Sequence, residues 1–351
     1  MIKRFASILV VVVAALAAPA ALATPPGPNG RIAFHRKGSD GFEQIWTANP
    51  DLTAQHKLTN SAANSGFVSW SRDASRIAFD SDRSDPDRTD DVVVNDVYVM
   101  RVNGSGVTKL TDSVGFSGDP AFSPDGALIA FDANRGVMSG DPGWSQANPD
   151  MSIYVMDATD GSPVRRVTTP PAGTSDSEPR FSPDGSQISF TRFRGGHSLW
   201  GGVRIVGDTS AVFAVRLDGT GLRRITGWGA RVGQADWAPD GRRIVFENIG
   251  DYLGPANAYT VRADGGGLTR LTDGHGITGT GNENAFQMDG FYDPVWSPDG
   301  TKVLVGHELL EDDGTFLHGL AVVRADGTGL AWAAPEVHEE HQPDWGTAPL
   351  Q

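Results

Sequence analysis

Six short apolar runs recur along the chain: Ile32-Ala33-Phe34, Ile77-Ala78-Phe79, Ile129-Ala130-Phe131, Ile188-Ser189-Phe190, Ile244-Val245-Phe246 and Val303-Leu304-Val305. No three-and-four spacing of an amphipathic helix separates them, so each reads as a strand. Five follow an aromatic residue and a tight turn. The turns are Trp70-Ser71-Arg72-Asp73-Ala74, Phe122-Ser123-Pro124-Asp125-Gly126, Phe181-Ser182-Pro183-Asp184-Gly185, Trp237-Ala238-Pro239-Asp240-Gly241 and Trp296-Ser297-Pro298-Asp299-Gly300. Proline presets φ at the second turn position, aspartate suits the third, and glycine follows where φ turns positive. The unit is therefore a β-hairpin. Its apolar runs alternate poorly, as expected of strands buried on both faces.

A second unit lies between the hairpins: a strand, an Asp-Gly-type turn, then a short strand ending in Leu-Thr or a relative. Examples are Val97 to Gly106 before Lys109-Leu110-Thr111, Val212 to Gly221 before Arg224-Ile225-Thr226, and Tyr259 to Gly267 before Arg270-Leu271-Thr272. Each repeat supplies four strands, and successive turn aspartates (73, 125, 184, 240, 299) lie 52, 59, 56 and 59 residues apart. Four strands at this period predict a propeller blade. Ile32-Ala33-Phe34 lacks its first hairpin half, which appears at the far end as Gln342-Pro343-Asp344-Trp345-Gly346. The expected fold is all-β: a six-bladed β-propeller closed by pairing of its N- and C-terminal strands, which removes the open edges.

Here the residues resemble a known family. The pattern Trp/Phe-Ser-Pro-Asp-Gly, Ile-Ala-Phe, Ile-Tyr-Val-Met, Asp-Gly, Arg-Leu-Thr is similar to the WD40-like (PD40) repeats of TolB-like propellers. The resemblance covers nearly all of the chain after residue 23. It implies a protein- or peptide-binding propeller. TolB proteins carry a small α/β domain ahead of the propeller, for which the sequence between Thr24 and Pro28 leaves no room.

Composition narrows the partners. The net charge of −14 disfavours nucleic acid and anionic membranes and suits a basic partner or a divalent cation. With no cysteine in the chain, disulfides, thiolate chemistry and Cys-ligated metal are excluded. Residues 1–23 read as a cleaved signal peptide: Lys3 and Arg4, an apolar core from Ile8 to Ala18, and Ala21-Leu22-Ala23. Residues 24–351 read as a single propeller domain, exported to a periplasm or the medium, monomeric and without a membrane span.

Strand order puts the short, uniform turns on one face and the long, dissimilar connections on the other. Long loops on a rigid scaffold are where binding resides. The loop at 80–96 holds Asp80, Asp82, Asp85, Asp87, Asp90, Asp91 and Asp96, a set that suits calcium. Three residues before each first-strand aromatic comes a position expected at the channel mouth: Phe67, Asp119, Glu178, Gln234, Asp293 and Gln342. The acids and amides among them are the candidate binding residues. Either they attract a cation or basic peptide end, or they hydrogen-bond neighbouring backbone. Seven of the eight histidines, all but His56, fall on or near the long-loop face. Of these, His338 and His341 are the candidate ligands for zinc or manganese. No Gly-x-Ser-x-Gly elbow or phosphate loop appears, and no catalytic residue is assigned. The leading reading is a non-enzymatic binding module without a required cofactor. The alternative is a metal-assisted lyase or hydrolase, acting on a polysaccharide or small molecule at the same mouth.

Overall fold

Each hairpin and the unit after it close into one four-stranded antiparallel sheet, and six such sheets stand in a ring. The computed structural model describes residues 28–84, 95–112, 115–134, 151–194, 209–228, 231–249, 256–274, 289–310, 316–336 and 340–347. Blade 2 runs Ser65–Trp70, Arg76–Ser81, Asp96–Arg101, Thr108–Lys109, and blade 3 Ser117–Phe122, Leu128–Ala133, Ser152–Asp157, Arg165–Arg166. Blade 4 runs Thr174–Phe181, Gln187–Arg194, Thr209–Arg216, Arg223–Arg224. Blade 5 runs Arg231–Trp237, Arg243–Ile249, Ala256–Arg262, Thr269–Arg270, and blade 6 Asp289–Trp296, Lys302–Leu310, Phe316–Arg324, Ala331–Glu336. Blade 1 is composite. Its first strand, Glu340–Trp345, pairs with Ile32–Lys37 through Ile32↔Trp345, Ala33↔Asp344, His35↔His341 and Arg36↔Glu340, and Glu43–Ala48 and His56–Lys57 complete it. The expected closure is present. First strands of neighbouring blades touch all round, so they form the channel wall.

The core is divided among the blade junctions. Six apolar clusters each draw on two adjacent blades. Blade 2 contributes Ala78, Val97 and Val99 to a cluster with Phe122, Ile129 and Phe131 of blade 3. This double-sided burial is why the apolar runs do not alternate. Phe79, Phe131, Phe190 and Phe246 each stack on an aromatic of the third strand: Tyr98, Tyr154, Phe213 and Tyr259, with centroids 5.7, 5.7, 5.8 and 6.0 Å apart.

The recurring polar residues have structural work. In the hairpin turn, Ser71, Ser123, Ser182 and Ser297 donate to the aspartate two residues on at 2.6–2.7 Å, and that aspartate accepts the backbone N–H two residues further. The glycines at 126, 185, 241 and 300 have φ of 71°, 69°, 68° and 70°; the worn copy puts Ala74 there at 51°. The Leu-Thr signature is also explained. The fourth strand is only two residues long in five blades. The threonine Oγ1 beyond it accepts the next third-strand amide: Thr59 from Ile45, Thr111 from Val97, Thr168 from Ile153, Thr226 from Val212 and Thr272 from Ala258, all at 2.9–3.0 Å. In blade 6 the register puts Ala334 at this position, and there the fourth strand lengthens to six residues.

Candidate functional site

The six channel-mouth positions share one unusual backbone. Phe67, Asp119, Glu178, Gln234, Asp293 and Gln342 have φ of 47°, 48°, 60°, 48°, 48° and 48°, left-handed values that non-glycine residues seldom adopt. Each sits in a β-bulge of its first strand, where the register with the second strand slips. The bulge lies toward the long-loop end of the channel.

A bulge leaves an amide out of the sheet ladder, and buried amides need acceptors. For five of the six bulges, carboxylates of the preceding blade supply them. The first source is the residue directly after the apolar run, at positions 35, 80, 132, 191, 247 and 306. Asp80 receives the amide of Asp119, and Glu247 Oε2 that of Asp293 at 2.9 Å. Asp132 faces the amide of Glu178. Blades 4 and 6 carry the short residues Thr191 and Gly306 there, and their own bulge acids reach across instead. Glu178 Oε2 accepts from Gln234 at 2.7 Å, and Asp293 Oδ2 from Gln342 at 3.0 Å. Glycine before the bulge makes room for this contact: a Cβ on Gly233 would lie 2.9 Å from Glu247 Oε1, and one on Gly118 2.7 Å from Asp80 Oδ2. Below this tier, Asp344, Ser69 and Asp236 accept the next blade's amides at Trp70 (2.6 Å), Phe122 (3.1 Å) and Trp296 (2.9 Å). Burial pushes Asp236 up to about 7, although the cation of Arg180 draws both Asp236 and Asp344 the other way.

Of the candidate residues, Glu178 and Asp293 thus each commit an oxygen to the wall, and Gln234 and Gln342 are held through their amides. Asp119 is different. Among the described residues it is the one bulge acid without an inter-blade amide to cap. It is 6% exposed and packed beside Asp80 and Asp132, each 1% exposed. One oxygen of Asp119, one of Asp80 and both of Asp132 make no well-formed hydrogen bond. Burial, then the charges of Asp132, Glu178 and Asp80, push the Asp119 carboxyl well above its usual range. Burial and Asp132 do the same to Asp80. Burial lifts Asp132 to about 6, even though its neighbours' hydrogen bonds pull it down. The Asp119 carboxyl thus faces Asp132 in a pocket where burial and neighbouring like charges oppose ionisation, a strain that a cation would relieve.

The imidazoles gather on the other side of the ring. Glu308, His318 and His341 place one ligand atom each within 4.8 Å of the others. Glu308 and His318 face each other across the two long strands of blade 6, with Nδ1 3.4 Å from Oε1. His341 lies on the first strand of blade 1 and not in a loop; its ring is 6.1 Å from His318 and 5.7 Å from His35. His35 is buried and, by desolvation and then the charge of His341, lowered to about 3, so it stays neutral. His307 stacks on Phe291 at 4.3 Å. His197, His275 and His338 lie outside the described residues. The expected pair His338 and His341 is thus seen only through His341. Sequence reasoning missed Glu308, and the signal was available: it and His318 flank a Glu-Asp-Asp-Gly segment that reads as a hairpin.

Two further expectations meet detail. Asp85, Asp87, Asp90 and Asp91 of the aspartate-rich loop lie outside the described residues. Asp82 is engaged by Asn64 and Asp96 by Lys109 and Thr111, so these act structurally. The long-loop end is not uniformly acidic. A cavity of about 620 Å³ on blade 4 is lined by Arg192, Arg194 and Arg224 with Phe213 and Trp228.

Fold and channel together define a strand-closed six-bladed β-propeller with an acidic inner ring. The chain is similar to the TolB homologue of Chlorobium luteolum, at 29% identity over 225 residues, 56% of this chain and 46% of that protein. It is also similar to the crystal structure of TolB from Acinetobacter baumannii, with a TM-score of 0.61 and 19% identity over 90% of this chain and 66% of that one. The hydrazine synthase of Kuenenia stuttgartiensis superposes with a TM-score of 0.65 and 17% identity, over 92% of this chain and 47% of that one. The fold is TolB-like. The chain spans under half the length of the curated relatives it matches. No family model matches it. Among the described residues no helix is long and apolar enough to cross a membrane.

Proposed function

We propose that this chain is an exported, monomeric propeller domain that binds a protein or peptide, and that the long-loop end of its channel receives a basic group of that partner. The observation that carries this reading is Asp119. Every other acid of the bulge ring has a backbone amide to hold; Asp119 instead shares a buried pocket with Asp80 and Asp132, where one oxygen of Asp119, one of Asp80 and both of Asp132 lack well-formed donors. A lysine, arginine or terminal amine supplies those donors and neutralises the pocket. Likeness to TolB proteins supports protein partners and export, and the apolar segment before Thr24 supports a cleaved leader.

Asp119→Asn tests the reading. The amide still donates to Asp132, so the melting temperature should stay within a few degrees of wild type. Affinity for a captured envelope partner, or for peptides with a basic N-terminus, should fall at least tenfold. Unchanged affinity in this variant would refute the cation-receiving role. The second reading, a metal-assisted enzyme at the same mouth, rests on the Glu308, His318 and His341 triad. Turnover of an acidic oligosaccharide that requires added manganese or zinc would favour it.

A further inference from the structure

We infer that Glu308, His318 and His341 form a binding site for a divalent transition metal, zinc ahead of manganese, which staples the closing strand of blade 1 to blade 6. This does not depend on either functional reading above. Two imidazoles and a carboxylate are the donor set such ions take, and three protein ligands leave a position for an exchangeable one. Calcium and magnesium favour all-oxygen sets, so nitrogen donors argue against them.

The geometry is close to what an ion requires. Bonds of about 2.0–2.2 Å at tetrahedral angles put ligand atoms roughly 3.3–3.5 Å apart. The Glu308 Oε1 to His318 Nδ1 distance is 3.4 Å, and all three ligand atoms lie within 4.8 Å of one another. A small rotation of His341 closes the set. The backbone holds the ligands in place. Glu308 and His318 are directly opposed in register, so their side chains leave the same face of blade 6. His341 sits opposite His35 in the pair that closes the ring. Tyr292 hydrogen-bonds the Glu308 side chain and orients it. All three ligands are half-buried, open enough for an ion to enter.

The position gives the site its consequence. The three ligands come from three strands, and the third is the segment that pairs with Ile32–Lys37 to complete blade 1. A bound ion anchors that segment to blade 6, beside the pairing within blade 1 by which distant parts of the chain close the ring.

The test is calorimetric titration of the untagged chain with zinc chloride, repeated with manganese, calcium and magnesium, together with the visible absorption spectrum of the cobalt-loaded protein. One equivalent of zinc should bind, with calcium and magnesium at least tenfold weaker. The cobalt bands should report mixed nitrogen and oxygen donors. His318→Ala and His341→Ala should each weaken zinc at least about tenfold, and His56→Ala, an exposed residue on another strand, should not. Glu308→Gln and His341→Gln keep the shape of the site and serve if the alanine variants fail to fold. Zinc should raise the melting temperature of wild type and not that of His341→Gln. Three results would each overturn the inference: no stoichiometric zinc binding by wild type, binding unchanged in both His318 and His341 variants, or a preference for calcium.

Discussion

Replacing Asp132 by asparagine should make the protein more stable at alkaline pH, an unusual outcome for deleting a buried charge. Asp132 is 1% exposed, and burial lifts its carboxyl from an ordinary 3.8 to about 6. The folded state therefore holds this proton more tightly than the unfolded chain. Its contribution is fully present below about pH 4, is lost as the pH rises toward 6, and stays lost above. A shift of about two units at 1.36 kcal/mol each sets the penalty at pH 8 at roughly 3 kcal/mol. Asparagine removes the titration, and its amide can donate to the Asp119 carboxyl. Urea unfolding of both proteins should show a gain of roughly 2–3 kcal/mol for Asp132→Asn near pH 8, shrinking below about 1 kcal/mol near pH 4. The difference between the two pH values is the decisive quantity: carboxylates remote from Asp132 cancel in it, and Asp119 and Asp80, relieved of its charge, add to the gain at the higher pH. An equal gain at both, or a loss near pH 8, would show that Asp132 is not held against its charge. The same variant should bind the partner more weakly, the usual exchange of stability for function at a site.

Thr111→Val should cost about 1–3 kcal/mol, because the buried Val97 amide loses its acceptor and Asp96 one of its donors; thermal melts would show it. Arg192→Ala should cost about 3–5 kcal/mol, since Asp176, at 2.5 and 2.7 Å from the guanidinium and fully buried, would lose its bidentate partner and keep only Thr168 and the charge of Arg166. Ala74→Gly should gain up to about 1 kcal/mol, because Ala74 holds a left-handed φ of 51° where the other hairpin turns use glycine; urea midpoints would settle the sign.

The fold was legible because its signals are local and repeated. The Pro-Asp-Gly turns announced hairpins, and Gln342 to Trp345 supplied the missing half of the first hairpin. The candidate ring was legible as a position: counting back from each aromatic gave the six bulge residues. What each residue does there was not, because the answer lies in the neighbouring blade, 39 to 56 residues away along the chain in the bulge contacts seen. Thr191 and Gly306 look unremarkable alone. Only beside Glu178 and Asp293 do they read as the short residues that oblige another acid to reach the amide. Asp119 could then be separated from the acids around it only by knowing which amides were already taken.

The repeat also explains why the two candidate sites can be dissected independently. In a ring of six blades, blade 3, which carries Asp119 and Asp132, stands opposite blade 6, which carries Glu308 and His318. Asp119 and Glu308 have no common partner, although Glu43 lies near both Asp80 and His35. Asp119 interacts with Asp80, Asp132 and Glu178, whereas Glu308 interacts with His318, His341 and Tyr292. Stability changes from Asp119→Asn and His341→Gln should therefore add to within about 0.5 kcal/mol in the double variant. Binding obeys a separate test. If one ligand lies across the mouth and touches both sides, its affinity losses will fail to add by more than that margin, although the stabilities still do. Additive stability with additive binding would place the basic group on the acid side alone. Non-additive stability would mean that the two sides of the ring are coupled through the wall, and that the separation argued from the hydrogen-bond pattern is wrong.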